Sequence, residues 1–355
     1  MGAPRSSSRA AWRETRRRQL RRRRLGAALT VAILAIVLTA IVAGGGEHAS
    51  TQKTGARSSQ AVSPALATSQ RIHVTIAQTG TLPTAEQDAA AVAIATSRFL
   101  LIGGIDQGET SLASIVSATS AQAHTIGSLP AALHDASASF AGGGAYLFGG
   151  GVVGSFPQIT KVDAEGTTQP VGELPTPASD VASATIGDTV YIVGGYTGVT
   201  PLRTILAWRP GGPAYVAGLL PKPLRYAAVV AVGGMLVIAG GTSGENASRD
   251  IYRFDPSTRK LTKIGLLPQP LTHAAAAPVN GTAFVFGGRG SSPSSQTRAI
   301  LAVSPNGKVS HAGLLPVGLS DLAAVSLDGH IVIAGGRDEN GRVHDEILTA
   351  TVTAS

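Results

Sequence analysis

The 355-residue sequence contains no cysteine. Disulfides, thiolate metal sites and cysteine nucleophiles are therefore excluded. Aromatic residues make up only 4% of the chain, whereas glycine occurs 44 times. That balance suits a fold of many short strands and tight turns. A domain without disulfides must be held by its own core or by closure of the chain on itself. Acidic residues are also few, and the formal charge is +8, but the excess is local. Residues 1–25 hold ten Arg and one Glu, so the remaining residues sum to −1. The folded part is close to neutral, and no nucleic-acid partner is expected of it. Arg outnumbers Lys 23 to 6 among abundant Ala, Gly and Val, a composition associated with GC-rich bacteria.

Arg16–Arg18 and Arg21–Arg24 precede nineteen uncharged residues, Leu25 to Ala43. As a helix that run is ~28 Å long, about the thickness of a bilayer's hydrocarbon core. Arginines beside one end only keep that end in the cytoplasm. The expectation is a cytoplasmic Arg-rich tail (1–24), a transmembrane signal-anchor (25–43) and a flexible linker (44–70) poor in large apolar groups. The rest of the chain would then be extracytoplasmic, on a single-pass cell-membrane protein. Cleavage near Ala40–Ala43 is the alternative, but the length of the run favours retention, since a cleavable apolar region is usually shorter, about 7–15 residues.

Beyond residue 70 the chain repeats. A strand-like run ends in Gly103-Gly104, Gly149-Gly150, Gly194-Gly195, Gly240-Gly241, Gly287-Gly288 and Gly335-Gly336, at spacings of 46, 45, 46, 47 and 48. A Leu-Pro pair precedes each doublet, with its proline at Pro83, Pro130, Pro175, Pro221, Pro268 and Pro316. A period in the forties marks repeated structural units. Each unit reads as four strands, with hairpin signals such as Asn280-Gly281. Four strands per repeat match a propeller blade. The sixth unit supplies three strands, near 322–327, 330–334 and 345–353. Arg71–Gln78 is expected to complete it and close a ring over 71–355, removing exposed sheet edges.

The doublets, with Tyr252-Arg253-Phe254-Asp255-Pro256-Ser257-Thr258, resemble kelch repeats of the galactose-oxidase-like kind. The resemblance implies an all-β, six-bladed kelch-type β-propeller. The family's usual Trp after the Asp-Pro segment is absent, with Leu261 in its place. Kelch proteins range from protein-binding scaffolds to enzymes, so the fold alone does not fix a function.

Five residues after each Leu-Pro proline stands Asp88, Asp135, Asp180, Tyr226, His273 or Asp321, where the chain joins the innermost strand. Chain direction puts this ring on the same face as the loops after Gly-Gly. Those loops carry Asp106, Glu109, Tyr196, Glu245, Asn246, Arg289, Arg337, Asp338 and Glu339, while Arg225 and His134 adjoin the ring. One reading is a polar, mostly acidic funnel for a cationic, sugar-like or peptide ligand. The other is structural: each ring side chain satisfies backbone N–H groups of its own turn. Tyr226 and His273 break the repeat and are the stronger ligand candidates, with Arg225, Arg289, Arg337 and Asp338 beside them. Of the eight histidines, only His134 and His273 are expected near the mouth. No loop has the spacing of a calcium motif, and neither a metal nor a cofactor is expected.

No nucleophile–base pair is evident, so no catalytic residue is assigned. The favoured function is a membrane-tethered ligand- or protein-binding scaffold, acting as a monomer on an unidentified protein, peptide or glycan. The alternatives are a carbohydrate-active propeller enzyme, of sugar isomerase or hydrolase type, and an extracytoplasmic sensor domain. Copper radical oxidases of similar architecture need a Cys-linked Tyr, and this chain has no Cys.

Overall fold

The computed structural model describes residues 72–244 and 246–354. The expected tail, membrane span and linker, together with Arg71 and Glu245, lie outside these residues. No helix among the described residues is long and apolar enough to cross a membrane.

The described chain is all β and forms six four-stranded antiparallel blades around an axis. The first blade comprises Ala90–Ala95, Arg98–Ile102, Leu112–Ala118 and the start of Ala123–Ala141. That last strand runs on to become the innermost strand of the second blade, followed by Gly144–Gly151, Gln158–Val162 and Thr168–Glu173. The third blade is Ala182–Ile186, Thr189–Val193, Thr204–Trp208 and Tyr215–Leu219. The fourth is Ala228–Val232, Met235–Ala239, Ser248–Asp255 and Lys260–Leu271; the fifth is Ala275–Val279, Thr282–Phe286, Ala299–Val303 and Val309–Leu314. The sixth takes Ala323–Leu327, His330–Ala334 and Glu346–Ala354 from the end of the chain and Ile72–Thr81 from its start. The closing pair runs from Ile72 opposite Ala354 to Thr81 opposite Glu346, with a register shift between Gln78 and Gly80.

Local chemistry explains the blade. Asn280 and Gly281 both have positive φ (49° and 73°), as do Gly233 and Gly234 (58° and 75°). Left-handed backbone at both central residues is what a tight hairpin with strand-matched twist requires. The second strands are apolar beyond their first residue because both faces are buried there. On Thr282–Phe286, Phe284 and Phe286 pack toward the sixth blade while Ala283 and Val285 pack toward the fourth. The same alternation at every seam produces six separate apolar cores, one between each pair of neighbouring blades.

The two sequence markers meet in space. The first glycine of each doublet has φ between 57° and 69°, and a Cβ there would stand 2.0–2.5 Å from a carbonyl oxygen of the next blade. The second glycine donates its N–H to that same carbonyl, as Gly195 does to Leu224 O at 2.8 Å. The leucines of the Leu-Pro pairs are all buried. Leu174, Leu267 and Leu315 place a methyl within 3.4 Å of where the doublet's first side chain would be. Each marker thus leaves the space that the other fills, which keeps them in register.

Candidate functional site

Asp88, Asp135, Asp180, Tyr226, His273 and Asp321 form a ring around the axis. Together with the alanine-rich innermost strands they line a cavity of about 180 Å³. Their backbones are linked in a closed belt. The N–H of Asp88 donates to Asp321 O (2.9 Å), Asp135 to Asp88 (3.1 Å), Asp180 to Asp135 (2.8 Å), Tyr226 to Asp180 (3.2 Å), His273 to Tyr226 (3.2 Å) and Asp321 to His273 (2.9 Å). All six residues have left-handed φ, between 52° and 60°.

The belt corrects the structural expectation. The ring side chains do not satisfy the N–H groups of their own turns, because the neighbouring blade's carbonyl already does. What the position demands is left-handed backbone, which Asp tolerates and most side chains resist. The four aspartates therefore answer a requirement of the repeat. Tyr226 and His273 occupy the same conformation at a cost of order 1–3 kcal/mol each.

The ring side chains interact across the channel. The Tyr226 hydroxyl donates to Asp135 Oδ2 at 3.1 Å, skipping the blade between them. The Tyr226 ring stacks on His273 with centroids 3.7 Å apart. Arg225 forms a charge-assisted hydrogen bond to buried Asp180 and lies 3.9 Å over the Tyr196 ring. Ser320 Oγ donates to Asp321 Oδ2 at 2.7 Å. Burial, and then the charges of neighbouring ring carboxylates, hold Asp88 and Asp135 well above the usual carboxylate range. Burial likewise depresses His273 to about 4 and lowers His134. The mouth is polar, but burial biases Asp88 and Asp135 toward their protonated forms and Asp180 is paired with Arg225.

The post-doublet loops share this face, since Ser179, Arg225, Thr272 and Ser320 bridge to Tyr196, Thr242, Arg289 and Arg337. The structure brings the six ring residues, Arg225 and Arg289 together. It does not bring Arg337 or Asp338 to the axial cavity. Asp338 Oδ1 accepts the backbone N–H groups of Asn340 and Arg342 in its own loop. His344, not singled out by the sequence, is buried in that loop between Asp338 (3.3 Å) and Glu346 (2.9 Å). Glu86 was not anticipated either. It is 2% exposed, its Oε1 has no partner among the described residues, and burial pushes its carboxyl up to about 8. Aligning the repeats on the ring would have exposed it, because the other blades carry Leu133, Ala178, Leu224, Leu271 and Leu319 at that position.

The kelch motif matches residues 177–211 and 223–260, centred on the third and fourth blades. The chain is a kelch-repeat β-propeller. The solved structure of YjhT aligns with a TM-score of 0.68 at 14% identity, covering 78% of this chain and 99% of that one. No curated protein matches the sequence. Within this kelch fold, Leu261 packs against the core between the third and fourth blades, on the segment where the family carries its Trp. Trp208 is fully buried at the preceding seam, edge-on to Tyr146 (4.7 Å) and Phe148 (5.4 Å). Among the described residues, no cluster of three or more His, Asp or Glu is arranged to hold a metal ion.

Proposed function

We propose that this kelch propeller is a membrane-tethered, extracytoplasmic module that binds a protein, peptide or glycan at its channel mouth. The observation that carries the reading is the ring itself. Its backbone N–H and C=O groups are consumed by the belt, so six polar side chains are left facing a cavity of about 180 Å³. Convergent polar groups in a preformed cavity favour ligand binding. The Arg-flanked apolar run at 25–43 supports the tether and its orientation.

The test is a glycan and peptide array probed with the full chain in detergent micelles. Tyr226→Phe, which removes the cross-channel hydrogen bond, and Asp135→Asn, which replaces the ionisable carboxyl by a neutral amide, leave the ring filled and should weaken binding at an unchanged melting temperature. Binding insensitive to both, with the fold intact, would place recognition on another surface. Protease added to intact cells should digest the propeller and spare the Arg-rich tail; a protected propeller would refute the orientation.

A second reading, a carbohydrate-active enzyme, is favoured by one pairing. Asp135 is biased toward its protonated form and accepts the hydroxyl of Tyr226, which stacks on a neutral His273. A carboxyl biased toward protonation and a neutral imidazole lining one cavity are suited to acid–base work. Turnover of an array-selected sugar, abolished by Asp135→Asn, would establish that reading; binding without turnover leaves the first.

A further inference from the structure

Where the chain closes on itself, one imidazole holds the mouth loop of the sixth blade. His344 is 6% exposed. Its Nδ1 lies 2.9 Å from Glu346 Oε2 and its Nε2 3.3 Å from Asp338 Oδ2. Burial opposes charge on both carboxyls. Backbone N–H groups (of Arg342 to Asp338, and of Glu346 to its own carboxylate) and the His344 imidazole outweigh it, and hold both carboxyls below their ordinary values. Ionised carboxylates only accept hydrogen bonds, so both ring nitrogens must donate, and only the imidazolium carries two N–H groups. A neutral ring would turn a bare lone pair toward one carboxylate.

The position is special to this blade. The His344 N–H donates to Gly336 O, in the doublet. Leu112, Phe156, Leu202, Ser248 and Thr297 make the same bond in the other five blades, and none of them titrates. His344 also joins three segments. Its carbonyl accepts the N–H of Glu86 (3.1 Å), on the stretch that leads from the closing strand into the first blade. Its neighbour Val343 donates to Gln107 Oε1 in the first blade's mouth loop (2.7 Å), and Gln107 Nε2 donates to Gly341 O (3.1 Å). The charged groups around the junction are Asp338, Asp345, Glu346 and Arg342 of the sixth blade, with Arg342 3.6 Å from Glu346 Oε1. Arg337 lies against Gly341, and Glu86 pairs with Asp106 on the first-blade side.

We propose that His344 is a proton-operated latch on the closure seam: its imidazolium clamps the sixth mouth loop onto the segments that close the ring, and loss of its proton frees that loop.

The test is amide hydrogen exchange of the full chain in detergent micelles at pH 5.5 and 8.5, corrected for the intrinsic pH dependence of exchange. Protection at Val343 and Glu86 should fall about 10-fold or more at the higher pH, the worth of one charge-assisted hydrogen bond. Leu202 and Leu224, which make the corresponding backbone bonds in the third blade (2.8 Å each), should not change. Glu346→Gln should keep the loop closed and flatten the response, because an amide can either accept from an N–H or donate to a bare nitrogen. His344→Leu, which carries the third blade's residue, should open the loop equally at both pH values. The buried carboxyl of Glu86 also ionises in this range, so the titration is repeated in Glu86→Leu, where the response should persist. Equal changes at Leu202 and Leu224, a response retained in both Glu346→Gln and His344→Leu, or a response lost in Glu86→Leu would each overturn the latch. If Glu346→Gln does not fold, His344→Leu decides in its place.

Discussion

Glu86 stands where five other blades place Leu or Ala, two residues before the ring. Its backbone serves the repeat normally, with Gly336 donating to Glu86 O at 2.9 Å, so only the side chain is anomalous. Burial raises its carboxyl from 4.5 to about 8. Between those values the folded chain keeps a proton that the unfolded chain has released. Its contribution is therefore fully present below 4.5 and is lost as pH rises toward 8, by roughly 3–5 kcal/mol. Glu86→Leu should flatten this slope and stabilise the protein at pH 8.5; urea midpoints at pH 5 and 8.5 check it, and an unchanged slope would refute the assignment. His273 has the opposite sign. Its folded value of about 4 lies below the ordinary 6.5, so stability is full above 6.5 and falls by ~3 kcal/mol toward pH 4. His273→Asn, whose side chain tolerates left-handed backbone, should remove that acid-side loss in the same titration.

At the scale of the element, the strand-ending glycines separate two physical effects. Gly187, in the far-side hairpin, and Gly194, opening a doublet, have nearly equal φ (58° and 64°). A Cβ at Gly187 would meet nothing within 4 Å, whereas one at Gly194 would lie 2.1 Å from Leu224 O in the next blade. Gly187→Ala should cost only the left-handed strain, ~1–2 kcal/mol. Gly194→Ala should cost that and a blade-to-blade clash, bringing it into the range above ~4 kcal/mol that marks a structural breakage. Equal losses in urea unfolding would mean that the clash is relieved by a shift of the seam. The difference also explains what was legible. Strand positions and the doublet period were readable because each depends on local chemistry repeated six times, and the closing segment was readable because the sixth repeat lacks a strand. The belt repeats six times as well, but its bonds run between blades, which a sequence pattern does not show. The Arg289–His273 contact and the burial of His344 exist in one copy each, so no periodicity announces them. Arg337 and Asp338 do not line the axial cavity: their loop folds back on itself through Asp338 and Gly341, and sequence position alone does not show that turn.

For the whole molecule, stability is distributed around the circle. Each of the six cores belongs to two blades, so no blade can bury both its faces alone. The circle is closed twice. The backbone belt closes it at the axis through Asp88 and Asp321, and Ile72–Thr81 closes it at the rim by pairing with Glu346–Ala354. The rim closure also carries core residues: Val74 packs into the seam between the fifth and sixth blades, and Leu82 into the seam between the sixth and first. Removing residues 1–82 would therefore take buried side chains from two adjacent cores and leave Glu346–Ala354 as an unpaired edge. Such edges recruit other strands, so the truncated chain should self-associate and lose hydrogen-exchange protection first at 346–354, spreading to the seams on both sides. A peptide of sequence 72–82 added in trans should restore both protection and monomeric size, because it supplies the missing strand and both buried side chains. If truncation instead left exchange at the other seams unchanged and the chain monomeric, the axial belt alone would be holding the ring, and the rim strand would be a cover and not a closure.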